Sequence, residues 1–164
     1  MTRLTTHRRE PLADLLRAVP EFTPEEVTVA LELADQALEA SGDGDSDGYR
    51  FLLALEDERV TGYVCYGKTP MTAGTFDLYW LAVHPAHRRR GVAQRLVRAM
   101  EEELLREGAL LVRVETSSAA AYDATRAFYD RVGFERAGLL RDFYKAGNDL
   151  VIFAHRLRPA KTGV

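Results

Sequence analysis

The 164-residue chain contains a single cysteine, only three lysines, and no apolar run near the roughly 18 residues that a membrane-spanning helix needs. The lone Cys65 excludes an internal disulfide and every metal site built from a cysteine cluster. A net charge of −3 disfavours a broad nucleic-acid surface, which usually requires a basic domain. No secretory leader pattern opens the sequence. These absences predict a cytoplasmic protein that binds neither nucleic acid nor membrane.

The residues that are present predict one folded domain. The length suits a single core, which we expect to span residues 1–158, with a loose tail at residues 159–164. Hydrophobic periodicity predicts helices at residues 11–19, from residue 24 onward, at 92–107 and at 123–131, and strands at 1–9, 49–55, 60–67, 76–83, 109–115, 137–144 and 150–157. The second helix begins with a capping box, in which Thr23 is the N-cap and Glu26 follows three residues later. This order predicts an α+β fold: a mostly antiparallel sheet with a central parallel crossover, flanked by helices.

A basic segment after the strand at 76–83 opens the third helix and reads His-Arg-Arg-Arg-Gly-Val-Ala-Gln over residues 87–94. Backbone N–H groups at a helix N-terminus are unpaired, and the helix dipole adds positive charge there. Gly91 and Ala93 have almost no side chain, so a diphosphate can approach the backbone. The segment therefore predicts a pyrophosphate cradle, although neither the Walker pattern nor Gly-x-Gly-x-x-Gly is present.

The spacing Arg-x-x-Gly-x-Ala resembles the acyl-coenzyme A signature of the GNAT superfamily of N-acetyltransferases. Residues 125–134, Thr-Arg-Ala-Phe-Tyr-Asp-Arg-Val-Gly-Phe, resemble a later motif of that family, a short helix that carries Phe-Tyr and is closed by Gly-Phe. The resemblance covers residues 76–157. It implies a GNAT-like fold, acetyl-coenzyme A as co-substrate, no metal, and direct acetyl transfer to an amine without an acyl-enzyme.

The resemblance also assigns cofactor contacts. It implies that the strand before the cradle bulges and parts from the next strand, so that the backbone of Leu81, Ala82 and Val83 pairs with the pantetheine arm. The pyrophosphate would be held by Arg88, Arg89, Arg90, Gly91, Val92 and Ala93. Tyr129 matches the family tyrosine that faces the sulfur and, with a phenol pKa near 10, could protonate the thiolate as general acid. The alternative for Tyr129 is an ordinary core aromatic.

Two carboxylates are candidates for the general base. Strand alternation predicts that Asp77, Tyr79, Leu81 and Val83 share one face, where Asp77 would act through a water relay. Asp77 fits equally well as a strand-start residue that caps a loop, and Glu115 is either a second base candidate or structural. Together with Asp142 and Asp149, which family geometry places around the cleft, they predict a carboxylate-lined mouth for a cationic amine without a nearby carboxylate.

No metal site is predicted. Residues 43–48, Asp-Gly-Asp-Ser-Asp-Gly, match the first six positions of a calcium-binding EF-hand loop. The twelfth position is Ala54 rather than glutamate, and a strand follows instead of a helix. A solvated turn is therefore the expectation.

The resemblance and the residues together predict an acetyl-coenzyme A-dependent N-acetyltransferase whose acceptor is a primary amine on a small molecule. The alternative within this class acetylates a protein N-terminus or a lysine. The alternative from another class is a non-catalytic acyl-coenzyme A-binding regulatory domain. The sequence leaves room for a homodimer.

Overall fold

The structure is a computed structural model that describes residues 1–40 and 48–157. Residues 41–47, which include most of the predicted acidic turn, and the predicted tail lie outside the described part. The described elements, in chain order, are β1 (Thr2–Arg3), α1 (Arg9–Ala18), α2 (Pro24–Ala40), β2 (Arg50–Glu56), β3 (Arg59–Lys68), β4 (Thr75–Val83), α3 (Val92–Arg106), β5 (Leu111–Ser117), α4 (Asp123–Arg131), β6 (Glu135–Lys145) and β7 (Asn148–Arg156).

One seven-stranded sheet organises the fold, with strand order β1-β2-β3-β4-β5-β7-β6. Every described strand pair is antiparallel except β4 with β5, which is parallel. The crossover between these two strands is α3, as parallel neighbours require. The predicted architecture is confirmed.

The sheet has a hydrophobic core on each face. The α3-side core packs α3 and α4 against the sheet and includes Leu96, Met100 and Phe153, which are fully buried. The α1-side core packs α1 and α2 against the other face and includes Leu12 and Tyr63. Burying each large apolar side chain contributes about 1.5–3 kcal/mol, so both faces hold the central strands in place.

Local sequence signals account for the helix ends that flank the site. At the start of α2, the Thr23 N–H donates to Glu26 Oε2 at 2.8 Å and the Glu26 N–H donates to Thr23 Oγ1 at 3.2 Å, which confirms the capping box. Beyond α3, Gly108 has φ of 79°, a left-handed conformation that glycine adopts without a steric cost.

The predicted edge strand at residues 1–9 is wrong for most of its length. Only Thr2–Arg3 pairs, with β2, and a 3₁₀ turn at Thr6–Arg8 leads into α1 at Arg9. The helix starts early because its apolar stripe, which includes Leu12 and Leu16, is buried completely in the α1-side core. Tertiary burial here decides where the helix begins.

Candidate active site

Strand β4 contains a bulge at the place where it leaves β5. Cys65 pairs with Trp80 and the next residue, Tyr66, pairs with Leu78, so Tyr79 is the extra residue. Pairing with β5 ends at Leu78 opposite Val114. Beyond that point β4 pairs only with β3, and the backbone groups on its other edge have no strand partner among the described residues. The bulge and the parting of the strands are what the family resemblance implies.

The bulge reverses the alternation of side chains, so the expected shared face is wrong. Leu81 and Val83 pack against the α3-side core, whereas Trp80 packs against the α1-side core. Asp77 lies between two residues of the α3-side core and therefore points to the opposite face, with Trp80. One extra residue inverts a period-two pattern, and no local sequence signal marks it.

A cleft of about 1000 Å³ opens between the parted strands. Its lining includes Leu81, Ala82 and Val83 of β4 and the cradle residues Arg88, Arg89, Gly91, Val92 and Ala93. Arg90, which was also predicted to contact the pyrophosphate, is not part of the lining. From Asp77 to Val83 the strand extends about 20 Å at 3.3 Å per residue, so the cradle and Asp77 mark opposite ends of the cleft.

The cradle presents a row of free backbone donors. The first N–H to bond within α3 is that of Arg95, which donates to the Gly91 carbonyl at 3.0 Å. The N–H groups of residues 89–94 donate to no group in the described ranges. Arg89 and Gly91 have φ of 63° and 74°, and this left-handed path turns the segment into the helix. Such a concave row of donors at a helix N-terminus fits a diphosphate.

Two cradle arginines are held by glutamates from other elements. Arg88 Nη1 and Nη2 donate to the two carboxylate oxygens of Glu21 at 2.8 and 2.7 Å. Arg90 Nη1 lies 3.9 Å from Glu56. The positive charge of the segment is therefore partly balanced, and the sequence contains no signal for either pairing because the partners are far apart along the chain.

Tyr129 lies in the cleft wall and is 3% exposed. Its ring packs against Phe134 and Phe153 at centroid distances of 5.4 and 5.6 Å. Burial raises the pKa of its phenol well above 10, so the hydroxyl keeps its proton at neutral pH. No described group forms a hydrogen bond with that hydroxyl, which leaves it free to donate to a ligand.

The start of α4 is anchored by an arginine that the sequence did not single out. Arg126 Nη1 donates to the carbonyls of Ser117 and Ala119, at 2.5 and 3.0 Å, and its other terminal nitrogen pairs with Asp123. Asp123 is the first residue of α4, and the N-cap residue before it, Tyr122, provides no side-chain cap. Arg126 joins the helix that carries Tyr129 to the end of β5.

Three charged side chains meet at the end of the cleft away from the cradle. Arg113 Nε donates to Asp77 Oδ1 at 2.7 Å, and Thr69 Oγ1 donates to Asp77 Oδ2 at 2.8 Å. Glu115 Oε1 lies 3.5 Å from Arg113 Nη1. The sequence did not identify Arg113 as a site residue. Its only signal there is that a charged residue stands between two valines of an apolar strand.

Only two of the four carboxylates predicted to line the mouth of the cleft do so. Asp77 and Glu115 line the cleft, but Asp142 and Asp149 do not. Asp149 Oδ1 accepts from the Asp142 N–H at 2.9 Å and Asp142 Oδ1 accepts from the Gly147 N–H at 2.6 Å. These two aspartates therefore stabilise the β6–β7 hairpin.

Within residues 1–40 and 48–157, no helix has the length and apolar character that a bilayer span requires. No group of three or more His, Cys, Asp or Glu side chains in those ranges is placed to hold a metal ion.

Comparisons with known proteins place the fold. A protein of Desulfovibrio desulfuricans assigned to the GNAT family is 37% identical and superposes with a TM-score of 0.89 over 96% of this chain and 98% of that one. The N-alpha-acetyltransferase RimI of Mycobacterium tuberculosis is 34% identical over 79 residues, 48% of this chain and 46% of that protein. The chain spans about half the length of the curated relatives it matches.

An aminoglycoside 6'-N-acetyltransferase solved with coenzyme A shares the fold, with a TM-score of 0.72 at 16% identity over 94% of this chain and 93% of that one. The family model described as "Acetyltransferase (GNAT) family" matches residues 12–134. That range includes the parted strands, the cradle and Tyr129, so the chain belongs to the GNAT family of acetyltransferases.

Proposed function

We propose that the protein transfers an acetyl group from acetyl-coenzyme A directly to a primary amine of a small molecule. The observation that carries this proposal is the cleft itself: free donors of the cradle at one end, unpaired β4 backbone along it, and a buried phenol in its wall. Acetyl-coenzyme A-dependent acetyl transfer is the general reaction of the family. A reducing compartment such as the cytoplasm is part of the proposal, because Cys65 is a buried free thiol.

The residues present fit coenzyme A. The N–H groups of residues 89–94 would hold the diphosphate, with Arg89 adding charge. The backbone of Leu81, Ala82 and Val83 would pair with the pantetheine amides as an added strand does. The cradle N–H groups have no partner in the described part of the chain. The edge of β4 that faces the cleft has no partner strand beyond Leu78, although the Val83 carbonyl accepts from Arg88 Nε at 3.4 Å. A bound thioester would supply the activated acetyl group.

The chain's own residues would then manage two protons. Tyr129 would donate its phenolic proton to the departing sulfur, because burial raises the pKa of the phenol and the hydroxyl therefore carries its proton at neutral pH. Glu115 is half exposed in the cleft, so its carboxylate is free to accept a proton from the acceptor ammonium. Asp77 remains a candidate base, but each of its oxygens already accepts a hydrogen bond.

A protein N-terminus is the second candidate acceptor. It is favoured by the match to RimI, an N-alpha-acetyltransferase, over 79 residues. The overall fold does not choose between the two acceptors, since an aminoglycoside 6'-N-acetyltransferase and the ribosomal-protein-S18-alanine N-acetyltransferase of Escherichia coli both superpose with a TM-score of 0.72. Lysine side chains and a purely regulatory acyl-coenzyme A-binding role complete the alternatives.

Release of free thiol from acetyl-coenzyme A tests the proposal. The full chain would be screened against small amines, amino acids, and peptides with free N-termini or lysines. Turnover with small amines is the expected result, and turnover confined to peptides would favour the second candidate. Tight binding of acetyl-coenzyme A by calorimetry with no turnover across the panel would contradict an enzymatic role.

A further inference from the structure

Arg113 presents unused hydrogen-bond donors to the cleft. Its Nε donates to Asp77 at 2.7 Å, but its two terminal nitrogens donate no hydrogen bond to any described residue. The side chain is 41% exposed and lines the cleft. A guanidinium held by one edge and open at its terminal nitrogens is suited to bind a carboxylate through two parallel hydrogen bonds.

Glu115 lies beside those donors with unused acceptors. The two residues are two apart on β5 and share a face, with Glu115 Oε1 3.5 Å from Arg113 Nη1. That separation is an ion-pair contact and is too long for a strong hydrogen bond. The Glu115 carboxylate accepts no hydrogen bond within the described ranges, and the residue stands just beyond the point where β4 and β5 part.

Neighbouring tyrosines make this end of the cleft polar without adding charge. Tyr79 and Tyr144 both line it, and burial raises the pKa of each phenol above 10. The charged side chains in contact with one another here are one cation, Arg113, and two anions, Asp77 and Glu115. Asp77 is used to hold the guanidinium, which leaves one open cation beside one open anion.

We propose that the acceptor is a free α-amino acid, with its carboxylate on the terminal nitrogens of Arg113 and its ammonium on Glu115. The positive Arg113 and the negative Glu115 lie side by side, as the negative carboxylate and the positive ammonium do in an amino acid, so each charge of the ligand meets its opposite. This inference rests on the proposed function and names its substrate class. It replaces the expectation of an amine without a nearby carboxylate, which arose from the carboxylates alone.

The proton and bond changes follow from this placement. The ammonium loses one proton to Glu115 or to a water beside it, and the amine nitrogen forms the new bond to the acetyl carbon. The carbon–sulfur bond breaks, and the sulfur takes the proton of Tyr129. The nitrogen then loses its second proton, through water, to the phenolate of Tyr129, which restores the phenol, and Glu115 releases the first proton to solvent. The products are an N-acetyl amino acid, whose amide no longer bears the positive charge that Glu115 attracts, and free coenzyme A.

The test compares each amino acid with two analogues that lack the carboxylate. Thiol release by the full chain is measured with the common L-amino acids, with the carboxamide of each, and with the corresponding decarboxylated amine. For the preferred side chain, we expect kcat/KM for the amino acid to exceed that of both analogues about 100-fold, since the two open donors of Arg113 would lose their charged partner.

Variants locate the preference in Arg113. Arg113→Gln should lower kcat/KM for the amino acid about 100-fold while changing that of the carboxamide less than about threefold, and Arg113→Lys should restore part of the loss. Arg98→Gln is the matched control, because Arg98 is an exposed arginine of α3 outside the cleft lining.

The outcomes separate this inference from the proposed function. Carboxamides or decarboxylated amines used as well as amino acids would overturn the inference and leave the acetyltransferase standing. The same holds if Arg113→Gln lowers activity equally on all three acceptor types. The wild-type comparison decides the matter even if the variants fail to fold, and no thiol release from any amine or peptide would overturn both proposals.

Discussion

Arg88 of the cradle and Glu21 of the α1–α2 loop form a two-pronged ion pair, with N–O distances of 2.8 and 2.7 Å. Both residues line the cleft. The Glu21 carboxylate accepts the hydrogen bonds that the Arg88 guanidinium would otherwise offer to an incoming diphosphate. Two anions, one from the protein and one from the ligand, therefore compete for one cation.

Glu21→Gln should tighten coenzyme A binding about 2- to 5-fold, because a partly exposed ion pair contributes up to about 1 kcal/mol. Calorimetry with coenzyme A measures this, and Glu25→Gln is the control, because Glu25 is an exposed glutamate of α2 outside the cleft lining. Weaker binding in Glu21→Gln would mean that Glu21 orients Arg88 for the ligand instead.

The same pair has a predictable pH dependence. Arg88 lowers the pKa of Glu21 below 4.5, mainly through the side-chain hydrogen bond. A carboxyl whose folded pKa is lowered stabilises the fold above its unfolded pKa and loses that contribution as pH falls through the folded value. The Glu21→Gln effect on binding should therefore be unchanged from about pH 6 to about pH 9.

Gly91→Glu should abolish measurable coenzyme A binding, because it places bulk and negative charge beside the free N–H groups. Gly91 has φ of 74°, so the substitution also strains the backbone, by about 1–2 kcal/mol. Gly108→Glu is matched for both charge and strain, with φ of 79° at the far end of α3. Equal losses of affinity in the two folded variants would contradict the cradle.

Tyr129→Phe removes only the hydroxyl and should lower kcat by about 10²–10⁴-fold where chemistry limits turnover, with little change in coenzyme A affinity. Tyr63→Phe is the control: Tyr63 is also buried, and its hydroxyl has no hydrogen-bond partner within the described chain. Steady-state kinetics and calorimetry measure the two effects. Near wild-type kcat in Tyr129→Phe would assign Tyr129 to packing alone.

The two base candidates differ in their predicted pH profiles. Removing a true base costs most near pH 6.5, where the amine is protonated, and least near pH 9, roughly one unit below a primary amine's pKa of about 10. We expect that pattern for Glu115→Gln. Asp77→Asn should lower the rate equally at both pH values, because Asp77 holds Arg113. A loss in Asp77→Asn that is larger at pH 6.5 than at pH 9, with an equal loss at both pH values in Glu115→Gln, would identify Asp77 as the base.

Gly62→Ala should weaken both stability and cofactor binding. A Cβ at residue 62 would lie 2.9 Å from Val92 Cγ1 and 3.0 Å from the Ala82 carbonyl oxygen, so the helix start must move. We expect a loss of about 1–3 kcal/mol in the free energy of unfolding. Gly138→Ala, whose Cβ would come no closer than 3.5 Å to Ile152, should lose less, as denaturant unfolding can show.

Local sequence predicted the parts of the site that depend on local chemistry. The cradle at residues 88–93 follows from small residues and charges at a helix start, and the capping box before α2 follows from two residues three apart. Element order was enough to predict the sheet and its parallel crossover. The cradle and the capping box each depend on residues a few positions apart along the chain, so both can be predicted without the tertiary structure.

The tertiary structure decided which side chains meet. The bulge at Tyr79 puts Asp77 on the opposite face of the sheet from Leu81 and Val83, because one unpaired residue reverses the alternation of side chains. Sheet packing rather than local propensity sets the position of the bulge. Arg113 joined Asp77 only because β4 and β5 are parallel neighbours, 36 residues apart in sequence. The sequence by itself therefore determined the fold and the position of the segment that we propose holds the cofactor, whereas long-range strand pairing determined which charged side chains meet at the opposite end of the cleft.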